Sequence, residues 1–253
     1  MRSWLFLIAV LSLLLASPLH AQDLASTCHA TSSYDMTLRA DSILFDRASP
    51  APMRVELQHG SLHTDGNLVR LDPEQQDRLT LFQRDLRVLV PRARAVAQNG
   101  VDMAVQALRA EAADLDLSSA TRTELDRRLH AQASELKQRI ARSQSTHDWQ
   151  GDAMQQYASQ VAADLTPLVA ADLGQQAIDA ALSGDLQAAA SLRDRAGSLA
   201  TDLQPRLQRR MQALRPQIEA LCPAIQRLAR LQKGLRDSRG QPLDLVRIRT
   251  GAN

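Results

Sequence analysis

From Leu207 to Leu235 the apolar residues fall at Leu207, Met211, Leu214, Ile218, Leu221, Ile225, Leu228 and Leu235, in steps that alternate between four and three. Gln232 is the one polar residue at a position of this series. A repeat near 3.5 residues, held over about four heptads, specifies a helix that buries one narrow seam. The spacing predicts a long terminal helix over 199–235, and it obliges the rest of the chain to supply a second apolar surface. Pro216 and Pro223 occupy the outward f position of this heptad, as Pro91 does in an earlier apolar series. A proline bends a helix away from its own side. Either the last helix curves around the core, or it splits at Pro205, Pro216 and Pro223.

Cys222 lies beside the seam, and the only other cysteine, Cys28, stands near the opposite end of the chain. What two cysteines do depends on the compartment. Arg2, the apolar run Trp4 to Ala16, then Pro18 and the small Ala21 have the form of an export signal over 1–21, cleaved before Gln22. The run is short for a bilayer span, which disfavours an uncleaved anchor. Leu24 to Cys28 is a poor lipid-attachment sequence, because the bulky Thr27 immediately precedes the cysteine. Nothing after residue 22 is long and apolar enough to span a membrane. The expectation is a soluble periplasmic protein in which Cys28 and Cys222 form one structural disulfide. That bond would close nearly the whole mature chain, an effect of up to about 5 kcal/mol on loop entropy. With no CxxC present, redox catalysis has no support.

The chain carries 30 basic and 28 acidic residues, and loss of Arg2 with the signal leaves 29 against 28. Such a balance argues against a nucleic-acid binder, whose footprint is basic. Aromatic residues are 3% of the chain, too few for a stacking surface. Ala, Leu, Gln, Arg and Asp dominate from residue 72 onward, the composition of long helices.

Before that point the period is two. Met36 to Leu38, Ile43 to Phe45, Met53 to Leu57, and Leu62 with Leu68 to Leu71 are the strand segments. Gly60-Ser61 is a turn signal, and Asp65-Gly66-Asn67 is a strong hairpin signal. Residues 22–71 therefore predict a small antiparallel sheet of three or four strands, marginal alone and needing the helices against one face.

Asp72-Pro73-Glu74-Gln75 is a helix start: Asp72 as N-cap, Pro73 at the first position, Gln75 closing a capping box. Leu79, Phe82, Leu86, Leu89 and Ala93 follow at helical spacing, and after Asn99-Gly100 the series resumes as Val101, Val105, Leu108, Ala112 and Leu115. Either Ser118 or Ser119 can cap the next helix, which carries Leu125, Leu129, Ala133, Leu136 and Ile140. A bend is expected at Trp149 to Asp152. Val161-Ala-Ala-Asp-Leu165 then recurs as Val169-Ala-Ala-Asp-Leu173, read as small side chains that let two helices approach closely, in preference to a membrane-inserting segment. Ser183-Gly184-Asp185 ends this helix and caps the last. In the tail, 236–253, Leu243 to Ile248 is a short strand candidate returning to the sheet. The fold class is α+β, predominantly helical, with the sheet and the helical region 72–235 forming one domain.

Motifs for chemistry are sparse. Ser134 and Lys137 match the S-x-x-K spacing of serine acyl-enzymes, but neither companion motif is present and Leu136 belongs to an apolar stripe. A solvated helix face is the better reading. His59 and His63 flank a turn with Asp65 nearby, yet a metal site needs further preorganised ligands; exposed hairpin histidines account for them. His29, His130 and His147 are scattered. The readings are therefore no catalytic residue, no metal site and no cofactor, and no enzyme.

The order of features resembles one family. A cysteine (Cys28) after an export signal, a hairpin with Asp65-Gly66-Asn67-Leu68, a Gln-rich helix from Pro73 containing Leu89-Val90-Pro91, long polar helices, and a late cysteine (Cys222) before a charged amphipathic segment are similar to the YggN family of bacterial periplasmic proteins. That resemblance implies compartment and shape, and it carries no catalytic residues. The function expected is a non-enzymatic interaction or scaffold protein of the cell envelope, binding protein partners or itself through helical surfaces. The alternative is a small-ligand or lipid carrier with a pocket between the sheet and the Ala-rich helices.

Overall fold

Strand-forming sequence precedes helix-forming sequence in the computed structural model, which describes residues 27–149, 151–194, 209 and 212–249. The expected export signal, Pro205, Leu207 and Met211 lie outside these residues. The strands are β1 (Ala30–Thr31), β2 (Asp35–Leu38), β3 (Ser42–Asp46), β4 (Arg54–Gln58), β5 (Ser61–Thr64), β6 (Asn67–Val69) and β7 (Arg247–Ile248). The helices are α1 (Pro73–Ala113), α2 (Ser119–Arg142), α3 (Gly151–Leu182), α4 (Arg215–Glu219) and α5 (Cys222–Leu231), with helix also over 186–194. The fold is α+β and mostly helical. It divides into two compact units, a sheet unit (Pro18–Ala97, Ala141–Gln150 and Arg215–Asn253) and a helical unit (Gln98–Ile140 and Gly151–Leu214).

In the sheet unit, β2 to β6 form one antiparallel meander of five strands, one more than the largest number expected. Leu62 and Leu68 fall in two strands, β5, which pairs on both sides, and β6. Two tight turns set the register. His59-Gly60 (φ 46° and 77°) and Asp65-Gly66 (φ 49° and 83°) each hold both central residues at positive φ, the geometry that matches strand twist. Alternation then sends Ile43, Phe45, Val55, Leu57 and Leu62 to one face, where they are buried with Leu79, Phe82, Leu86 and Leu89 of α1.

α1 starts as its sequence predicts. Asp72 Oδ1 accepts the Gln75 N–H at 2.8 Å, and Gln75 Oε1 accepts the Asp72 N–H at 3.0 Å. The Gln75 amide also donates to the Gly234 carbonyl at 3.2 Å, so the cap ties α1 to the tail.

The terminal segment is split, not one helix. Pro216 and Pro223 each stand second in their helix, α4 and α5. A proline lacks an N–H and its ring excludes the carbonyl four residues back, so it is tolerated in a first turn and interrupts an interior. The seam survives the break: Leu214, Leu221, Leu228 and Leu235 are all buried, and the last three belong to the core of the sheet unit. Cys28 and Cys222 are joined, with an S–S distance of 2.00 Å and Cα atoms 5.1 Å apart. The tail does form a strand, but β7 pairs with β1 and not with the five-stranded sheet. Arg247 lies opposite Thr31 and Ile248 opposite Ala30, and the Arg249 N–H donates to the His29 carbonyl at 2.7 Å.

In the helical unit, Leu115, Leu117, Leu125, Leu129 and Leu173 are buried together, with Leu165, Leu168 and Val169 packed against them. Ser118 is the cap of α2, its Oγ accepting the Thr121 N–H at 3.2 Å. Asp185 caps the helix over 186–194 through the Ala188 N–H at 2.8 Å.

Candidate functional site

Charged side chains gather at one end of the sheet, where Asp35, Asp46, Arg47, Met53, Arg54 and Asp65 line an open cleft of about 510 Å³. Strand pairing brings them there: Asp35 is opposite Asp46, and Asp46 is opposite Arg54. Asp65 Oδ1 accepts the backbone N–H groups of Met53 (2.8 Å) and Arg54 (2.9 Å), closing the loop before β4. Arg54 Nε bonds Asp46 at 2.8 Å. Arg47 donates to the Pro52 carbonyl and to Ser33 Oγ, and its guanidinium sits 4.1 Å above the Tyr34 ring. Burial of that ring pushes the Tyr34 hydroxyl pKa up. These bonds fold the loops around the cleft.

Asp35 contributes an arrangement that sequence reading missed. His147 Nδ1 lies 3.4 Å from Asp35 Oδ2, and Thr146 Oγ1 donates to Asp35 Oδ1. The 3-10 turn Thr146–Trp149 is held against β2, because the Met36 N–H donates to Thr146 Oγ1 and the Leu38 N–H to the Gln144 carbonyl. A carboxylate at Nδ1 orients an imidazole as in a hydrolase, but the neighbouring hydroxyls are occupied. Ser145 Oγ accepts the His147 backbone N–H at 3.1 Å, and Ser143 Oγ accepts the Trp149 indole N–H at 2.6 Å. No local motif signals the His147–Asp35 pair, since it depends on where the turn meets β2.

The motifs weighed from sequence are dispersed. Lys137 pairs with Asp102 at 2.9 Å, while Ser134 is exposed on α2. His59 sits in its tight turn, His63 is in β5 opposite Glu56, and Asp65 serves the backbone. Among the described residues no three or more His, Cys, Asp or Glu side chains are grouped to hold a metal ion.

The repeated Val-Ala-Ala-Asp-Leu segment gives a different result from the expected close approach of small side chains. Ala163, Ala170 and Ala171 are exposed, while both aspartates point to α2 and its start. Asp164 accepts Arg128 at 2.9 Å. Asp172 accepts the Ser118 N–H, the Thr121 hydroxyl and the Gln176 amide, each at 2.9 Å. Desolvation tends to raise the Asp172 pKa, but these three donors outweigh it and hold the carboxyl below its ordinary value. On α2, guanidinium donors from Arg127 and Arg128 hold Glu124 at about 2. With both aspartates held by α2 and its start, the alanines turn outward. The outward face of α3 therefore runs through Ala163, Ala170, Gly174, Ile178 and Leu182, with Leu182 82% exposed.

Among the described residues no helix is long and apolar enough to cross a membrane. Neither a curated protein nor a solved structure matches the chain. A family model does, over residues 28–246, which begin at the first disulfide cysteine and end at the last residue before β7. The chain belongs to the family described as "Protein of unknown function (DUF2884)".

Proposed function

We propose that this is an exported periplasmic protein that acts by binding other proteins of the cell envelope and catalyses no reaction. The observation that carries the reading is the outward face of α3. Apolar residues are spread evenly around this helix, yet Leu173 is its only buried apolar side chain among the described residues. A helix apolar on every side is ordinarily covered, and Ile178 and Leu182 stand open at its end. Export is supported by the disulfide, which persists in oxidising compartments, and by the leader-like first residues.

The test is a photo-crosslinking residue at Ala170, introduced into protein produced in its own cell. A discrete covalent adduct with an envelope protein, or with a second copy, is the expected result. No adduct at Ala170, together with a small molecule or lipid retained in native mass spectrometry, would replace this reading with that of a carrier.

A further inference from the structure

Charge is balanced over the whole chain but not over one face of the sheet unit. From Arg78 to Ala97, α1 contains five arginines and a single acid, Asp85. From Cys222 to Lys233, α5 and the residues after it contain three cations and no acid. The two helices are neighbours: Leu79, Phe82, Leu86 and Leu89 share a core with Leu221 and Leu228, and Arg227 bonds Asp85 at 2.5 Å.

Asp85 is 7% exposed and receives Arg84 (3.3 Å) as well as Arg227, so one carboxylate faces two guanidiniums. Among the described residues Arg92 reaches the neutral Ala220 carbonyl at 3.3 Å and no acid, and Arg230 is exposed at the end of α5. Arg87 and Arg94 are directed elsewhere, to the carbonyls of Arg39 and Ser42 and of Ser143. Val88 lies one turn from both Arg84 and Arg92, and it is 58% exposed. Leu81, 37% exposed, stands on the other side of Arg84. Of the exposed acids of α1, Glu74 and Asp77 belong to its first turns and bound this face at one end, and Asp102, beyond residue 97, pairs with Lys137.

We propose that this face of α1 and α5 docks on an anionic phospholipid surface. Guanidiniums pair with phosphate through parallel hydrogen bonds, and aliphatic side chains between them can enter the headgroup boundary. A handful of side chains on two helices is small beside a protein–protein interface of about 1,600 Å². A fluid headgroup layer needs no complementary shape, and a scarcity of aromatic residues disfavours stacking on nucleic acid. This surface is separate from α3 and does not depend on the protein partner proposed above.

Cosedimentation of the purified, oxidised chain with phosphatidylglycerol vesicles, against phosphatidylcholine vesicles, tests it. Binding is expected only to the anionic vesicles and should weaken as salt is raised. Each cation near such a surface contributes about fivefold in partitioning, so Arg92→Gln with Arg230→Gln should reduce binding roughly 25-fold at an unchanged melting temperature. Neither side chain touches Asp85, which keeps the folded core intact. The proposal is overturned by no binding to phosphatidylglycerol at low salt, by equal binding to both vesicles, or by wild-type binding that high salt leaves undiminished. It is overturned equally if the folded double variant binds like the wild type.

Discussion

Gln232 and Val246 exchange two hydrogen bonds: the Gln232 amide donates to the Val246 carbonyl, and the Val246 N–H donates to Gln232 Oε1 at 3.0 Å. The polar residue that interrupts the apolar seam is thus a backbone clamp on the tail. Gln232 is buried, and Leu243 and Leu245 enter the core just before the clamp.

Replacing Gln232 by leucine restores the sequence repeat and breaks the structure. Two backbone groups lose their partners, at about 1–3 kcal/mol for a buried unsatisfied group. Thermal unfolding of Gln232→Leu should show a lower midpoint, by roughly 2–4 °C per kcal/mol for a chain of this size. A variant as stable as the wild type would mean that the clamp contributes nothing.

The repeated segment in α3 makes a paired prediction. Leu173 is 3% exposed, whereas Ala171 two residues earlier is open to solvent. Leu173→Ala should cost about 2–5 kcal/mol, and Ala171→Ser should stay within about 0.5 kcal/mol. Denaturant titration of both variants checks the contrast; similar losses would put the alanines in the core.

Asp172 and Asp237 set a pH dependence. Asp237 is buried and accepts the N–H groups of Arg239 and Gln241, each at 2.8 Å. For both residues burial tends to raise the pKa, but the donors prevail and the folded value is lowered. The unfolded chain therefore takes up protons first as pH falls. The stability these groups supply is complete above the ordinary carboxylate pKa of about 4 and declines below it, through the folded values. Asp172→Asn should flatten that acid decline in a series of melts, and an unchanged slope would refute the assignment.

At Gly60 the backbone is at φ 77°, and an added Cβ would lie 3.1 Å from Thr80 Oγ1. Gly60→Ala should therefore destabilise by about 1–2 kcal/mol for the left-handed conformation alone, read as a lower midpoint in urea. No change would show that the turn relaxes to another type.

What could be read from sequence was whatever is encoded locally. The Asp72–Gln75 box, the Asp65-Gly66 hairpin and the Ser118 and Asp185 caps depend on spacings of one to three residues, and each forms as expected. The heptad located Leu221, Leu228 and Leu235 in the core but could not choose between a curved and a split helix at Pro216 and Pro223, because a seven-residue period continues through a turn that leaves the seam facing inward. Gln232 resembled a defect because its partner is in the tail. The pairing of β7 with β1, the docking of His147 on Asp35 and the outward turn of the alanines in α3 all arise from contacts between distant segments. No local pattern encodes those.

The account depends most directly on Cys28 and Cys222, which bind the β-rich beginning to the terminal helices across a sequence separation of 194. Protein taken from its own compartment, alkylated before digestion and mapped without reductant, should yield a single linked peptide pair containing these two residues. Alkylated Cys28 and Cys222 in the native protein would contradict both the clasp and the export that it supports.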